Sequence, residues 1–265
     1  MKNGSYLFPP ANIFRRVNRE WLINLAGGRA LLLELAHPLV AAGVAQHSQF
    51  QQYPLRRLWR TWTVMTQIIF GKQAEQRRAL EAFHGCHVQV HGRLPRAEGQ
   101  YPAGRTYDAH DPELKLWVLA TLIDSALVAY ESLVTPLHCE EREEYYEESK
   151  RVAERLGIPA CIMPKGYNEF EKYMKSMIAS ERLHVGEHAR HVVAALLAAR
   201  RLRPLTKIAH FFGVGFLPER LRTEYRFIWT GAEEERFRCI VAGIRRFRAS
   251  WPNILFVNPH AQLSD

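Results

Sequence analysis

The stretch DPELKLWVLATLIDSALVAYESLV, residues 111–134, decides the fold. Asp111 before Pro112 marks a helix start: the aspartate accepts a backbone N–H at the N-cap, and a proline in the first turn forfeits no hydrogen bond. The run beyond Pro112 is long and apolar, yet Asp124 and Glu131 interrupt it, so it does not read as a lipid-spanning helix. A carboxylate such as Asp124 within an apolar helix needs a partner. An arginine in a structural role is the expected one.

Outward from this helix the pattern stays helical. An amphipathic segment runs from Asn12 to Ala26 and stops at Gly27-Gly28. A second spans Arg29 to about Ser48, kinked at His37-Pro38, where proline removes a donor and crowds the preceding turn. Pro54 opens a third that ends at Phe70 before Gly71, and a fourth runs from Gln73 to His91 before Gly92. Residues 93–110 read as a loop. On the other side, CEEREEYYEESKRVAERLG (139–157) reads as a solvated amphipathic helix ending at its glycine. FEKYMKSMIAS and the alanine-rich EHARHVVAALLAARRL come next, and then a tail with turns at Pro204, Pro218 and Gly231 and a last helix from Ala232 to Ser250. No segment alternates with the period of a strand and none repeats, so the class is all-α. A single domain over 1–265 is expected, with residues 12–260 as its body and 1–11 as an extension.

Composition agrees. The 265 residues are 47% hydrophobic and include 29 aromatics, which excludes a disordered chain; 16 Gly and 14 Pro without a period exclude a collagen-like one. The net charge of +9 suits an acidic partner: nucleic acid, an anionic membrane surface or a cofactor bearing carboxylates. Charge is uneven: residues 1–110 carry 14 basic and 6 acidic side chains, residues 111–160 carry 5 and 11. The arginines lie among tryptophans and leucines rather than in one dense run, so they snorkel, pair with carboxylates or face a buried anion, and no nucleic-acid partner is expected. Peripheral membrane contact stays open. Cys86, Cys139, Cys161 and Cys239 have long irregular spacings, so no disulfide framework is expected. With no secretory signal at the start, the expected location is cytoplasmic. The oligomeric state is not legible.

Four constellations carry chemistry. In PLRRLWRTW (54–62), Arg57 and Thr61 are one helical turn apart and suit a carboxylate or a small polar ligand; Arg56 and Arg60 pair on the neighbouring face, and a basic amphipathic helix is the plainer reading. In FHGCHVQVHG (83–92), His84, His87 and His91 fall at i, i+3 and i+7, a spacing that suits one axial nitrogen for iron, or part of a zinc or di-iron site, or hydrogen-bonded structural histidines. In ELAHPLVAAGVAQHS (34–48), Ala41, Ala42, Gly43 and Ala45 allow close approach of a helix or a flat ligand, with His37 and His47 as polar groups of a pocket or of helix packing and capping. The fourth is the Asp124-Ser125 pair. Cys86 and His87 point apart on a helix and form no nucleophilic dyad. The sequence holds no GxGxxG, GxxxxGK[ST] or GxSxG.

Together these pieces resemble the family of latex clearing proteins (rubber oxygenases) and MpaB-type oxygenases. GGRALLLELAHPLVAAGVAQHSQF resembles its opening helix pair, PLRRLWRTWTVMTQIIFG its Arg-x-x-x-Thr helix, HVQVHG its His-x-x-Val-x-Gly, DPELKLWVLATLIDS its Asp-Pro and Trp-Val-x-Ala-Thr-Leu segment, and FGVGFLPERLRTEY its C-terminal part. The resemblance covers roughly residues 12–260, in order. It implies a globin-related helical fold around b-type haem, with His87 as the proximal iron ligand and Arg57 and Thr61 near the haem as cofactor-binding and catalytic residues. His84 and His91 compete for the ligand role. The implied reaction uses dioxygen to cleave or oxidise a hydrophobic, alkene-containing substrate of isoprenoid or lipid type. The family often has histidine where this chain has Leu119. A haem- or lipophile-binding protein without turnover is the alternative, and a helical protein binding nucleic acid or membrane through its basic surface is a third reading.

Overall fold

The computed structural model describes residues 8–9, 11–47, 54–198, 203–252, 256–258 and 261, and of residues 54–59 and 203 the backbone alone. These residues form an all-α protein. Its helices are α1 (Ile13–Asn18), α2 (Gly27–Leu35), α3 (Pro38–His47), α4 (Pro54–Phe70), α5 (Gln73–His87), α6 (Pro112–Leu133), α7 (Cys139–Arg155), α8 (Tyr167–Ala179), α9 (Glu187–Leu197), α10 (Arg203–Gly215), α11 (Glu219–Glu224) and α12 (Gly231–Ser250), with a 3₁₀ segment at Trp21–Ala26.

Local chemistry sets these bounds. Asn12 caps α1 by accepting from the Phe14 N–H at 2.8 Å, and Asp111 caps α6 by accepting from Glu113 N–H at 2.8 Å. Gly157 ends α7 in the left-handed region at φ +76°, with its N–H and that of Ile158 returning to the carbonyls of Glu154 and Ala153. Thr230 and Glu233 open α12 with a reciprocal capping box.

Helix α6 runs through the middle, packed on the 3₁₀ segment, α2, α12, α1 and α7. It is long and apolar enough to cross a membrane, but here its apolar side chains have protein partners: Trp117, Ile123, Leu127 and Leu133 are all buried. Each such burial stabilises by about 1.5–3 kcal/mol. The carboxylate of Asp124 meets its arginine. Arg29 of α2, 4% exposed, lies 2.6 Å from the Asp124 carboxylate and donates to Ser125 Oγ at 2.8 Å and to the Phe216 carbonyl at 3.0 Å. That clamp joins α2, α6 and the end of α10.

Three boundaries differ from expectation. Residues 12–26 split into α1 and the 3₁₀ segment, and Gly27-Gly28 begins α2 instead of ending a helix. The cause is a close crossing: a Cβ on Gly28 would sit 2.5 Å from the Ala209 carbonyl of α10 and 3.2 Å from Gly213 Cα. The His37-Pro38 kink is a full break, with the two segments bent by 104°. The expected end near Ser48 and most of the 1–11 extension lie outside the described residues. Finally, α5 stops at His87, not His91. The chain then enters a small antiparallel ribbon in which His91, Gly92 and Arg93 pair with Asp108, Tyr107 and Thr106. Gly92 leaves room there for Tyr107: a Cβ would lie 2.6 Å from its hydroxyl, and the ring would have to shift.

Candidate active site

A cavity of about 640 Å³ lies between α3, α4, α5 and the first half of α6, and Leu156 and Ile158 close one side. The break at Pro38 aims α3 across the cavity, so Val40, Gly43, Val44 and His47 face it, spaced as one helical face. Helix α4 contributes Arg60, Thr61, Val64 and Met65, and α5 contributes Phe83, Cys86 and His87. The wall from α6 is Leu114, Lys115, Val118, Leu119 and Leu122. The volume is that of a small-molecule site, and the walls are mainly apolar with a few polar groups.

Of the three spaced histidines, His87 is the one lining the cavity. Its Nδ1–H donates to the Phe83 carbonyl, 2.6 Å away and one turn back on its own helix. A carbonyl only accepts, so Nδ1 donates and leaves Nε2 for other contacts, the arrangement that orients a metal-ligating imidazole. Cys86 Sγ lies 3.3 Å from the same Nδ1, so the two side chains do not point apart as their spacing suggested. The Phe83 ring lies 4.3 Å from the imidazole, centroid to centroid, and fixes its tilt. His84 forms a T-shaped pair with Phe83, ring centroids 5.4 Å apart. His91 is in the ribbon, and its carbonyl accepts from His47 Nε2 at 3.1 Å. The expected shared face of His84, His87 and His91 is therefore not formed, because the helix carrying the first two ends before the third. Among the described residues no group of three or more His, Cys, Asp or Glu is placed to hold a metal ion, which removes a zinc or di-iron site built from this trio.

Thr61 lines the cavity. Arg57 lies one turn earlier on α4; its side chain, like that of Arg56, is outside the described residues. Arg60 lines the cavity beside Thr61. Leu119, 4% exposed, occupies the α6 wall, so the cavity has an alkyl group where the resembling family often has an imidazole. Gly43 faces the cavity and Tyr107, whereas Ala41 and Ala42 are buried in packing. His37 is not part of the site. It sits at the α2–α3 break with Nε2 3.2 Å from the Tyr101 hydroxyl, and burial together with nearby Arg182 pushes its pKa down to about 4.

Three charged residues of the wall, Glu34, Asp108 and Lys115, were not singled out from sequence. Lys115 donates to the Leu156 carbonyl at 3.3 Å; burial holds its pKa below the ordinary value, partly offset by Asp108. Its signal was available: it stands one turn before Leu119 on the same face. Glu34, 7% exposed, opens the 34–48 stretch, in which the small residues and the two histidines drew the attention.

Among known proteins, the family model described as "ER-bound oxygenase mpaB/B'/Rubber oxygenase, catalytic domain" matches residues 15–246. Uncharacterized proteins of Mycobacterium bovis and Mycobacterium tuberculosis are each 26% identical over 222 residues, covering 81% of this chain and 84% of theirs. No solved structure matches.

Proposed function

The chain belongs to the family of mpaB and rubber-oxygenase catalytic domains, and from that premise we propose that it is a b-type haem-dependent oxygenase acting on a hydrophobic, alkene-containing substrate. The family is one of oxygenases, so a small-molecule substrate and dioxygen follow at that coarser level. The observation that carries the finer reading is His87, held in the cavity wall with its Nδ1–H on the Phe83 carbonyl.

The residues suit the cofactor. His87 Nε2 would hold the iron in this reading, and the Phe83 carbonyl would set its orientation and basicity. Arg60 and Lys115 line the cavity as cations for two carboxylates, which would offset the partial desolvation of Lys115. Bound haem supplies dioxygen activation, and the balanced outcome for a carbon–carbon double bond is two carbonyl groups from one dioxygen. Val118, Leu119 and Leu122 exclude water and hold the hydrocarbon chain, while the Thr61 hydroxyl is a hydrogen-bonding group beside it. Arg57 is assigned to the same face by its spacing.

Oxygen uptake by the haem-loaded protein with unsaturated isoprenoids and lipids tests the reading. Uptake matched by carbonyl products is expected. Haem retained with no uptake across the series would favour the second reading, a non-catalytic haem- or lipophile-binding protein, which the alkyl side chain of Leu119 in the wall supports.

A further inference from the structure

The outer face of α12 has no role in the cavity. The helix buries Phe237 and packs Val241 and Ile244 toward α6 and the 3₁₀ segment. At 100° per residue the opposite crest is Cys239, Ala242, Gly243, Arg246 and Ser250, and a Cβ on Gly243 would meet nothing within 4 Å. Along one flank, Arg238 and Arg245 border an open groove of about 570 Å³ floored by Phe216 and Phe237. On the other flank Phe247, 51% exposed, lies 5.0 Å from the ring of Trp251, 48% exposed. Arg248 on the same stretch is held by Glu20 through two 2.9 Å contacts.

From Arg236 to Pro252 the chain has five arginines and no acidic residue. Arg248 is committed to Glu20, and Arg238 pairs with Glu235. Arg245 and Arg246 make no ion pair among the described residues. Half-exposed aromatic rings at the level of unneutralised guanidiniums, on a helix whose crest is mostly small, fit a surface that is anionic at its skin and apolar just beneath. A nucleic acid would satisfy the arginines but not the apolar groove.

We propose that the outer face of α12, with Trp251 at its end, is a peripheral docking surface for anionic phospholipid membranes. The helix lies in the membrane plane, Arg245 and Arg246 engage lipid phosphates and carboxylates, and Phe247 and Trp251 enter the headgroup layer.

Co-sedimentation of the full chain with phosphatidylcholine vesicles, with and without phosphatidylserine, tests this. Binding that requires phosphatidylserine and weakens with salt is expected. Arg245→Glu with Arg246→Glu should weaken it about tenfold or more, and Phe247→Ser with Trp251→Ser about threefold or more. The charge-matched pair Arg77→Glu and Arg78→Glu on α5, also exposed, should change it less than about twofold. A polarity-sensitive dye on Cys239, the other cysteines replaced by serine, should shift to the blue on anionic vesicles. No vesicle binding, equal loss in the α5 control, an unmoved dye signal, or binding to a DNA duplex in place of vesicles would overturn the proposal.

Discussion

Along α6, Leu114, Lys115, Val118, Leu119 and Leu122 border open space, whereas from Asp124 onward the same helix is tied into the core by Arg29 and by Leu127 and Leu133. The first half has the cavity on one side; the second half does not line it, and only Ser132 there reaches the open groove beside α12. Substitutions in the first half should therefore act on a ligand, and substitutions in the second on folding. Rigidity at one end is what allows an internal space at the other, since a packed core close by fixes the helix that forms the wall.

The largest effect should come from breaking the clamp. Arg29→Met leaves Asp124 without its cation and should lower the unfolding free energy by about 3–5 kcal/mol in urea titration; adding Asp124→Leu should recover much of that. A loss under about 1 kcal/mol would dissolve the distinction between the halves.

His37, at the break that aims α3 across the cavity, should make the cavity side acid-sensitive. Its folded pKa of about 4 lies below the ordinary 6.5, so the unfolded chain takes up the proton first. Stability is then intact above pH 6.5 and falls toward pH 4, by on the order of 3 kcal/mol in full. His37→Gln should flatten that slope in denaturation curves measured at several pH values.

Leu119→His should cost less than about 1.5 kcal/mol, because the new ring faces space, yet it should change the visible spectrum of the haem-loaded protein. Lys115→Met should be smallest for stability, within about 0.5 kcal/mol, while speeding haem loss to apomyoglobin. If Lys115→Met destabilised the fold as strongly as Arg29→Met, the first half of α6 would be core and not wall.

The bounds of α4 and α6 were legible because each opens with proline at a permitted position and each keeps to the helical period. The partner of Asp124 was legible as a residue type, but not as Arg29, since pairing across 95 positions leaves no periodic trace. The motif singled out His87, and the structure shows that it lines the cavity. The end of α5 was not: His84, His87 and His91 suit a helical spacing, and that spacing masked Val88, Val90 and Gly92, which suit the entry to the ribbon. The role of Gly28 was hidden for a similar reason. A glycine pair marks a helix end in sequence, and only the crossing with α10 shows that it serves contact. Lys115 and Glu34 were missed because a charge in an apolar helix reads first as a defect.

An absorption spectrum of the purified protein, with haem quantified as the pyridine haemochrome, tests the assignment of the cavity most directly, with His87→Ala measured in parallel. Near-stoichiometric b-type haem in the native protein and its loss in His87→Ala are expected. A colourless protein after expression with added haem precursor, or a His87→Ala variant with full haem and an unchanged spectrum, would contradict it.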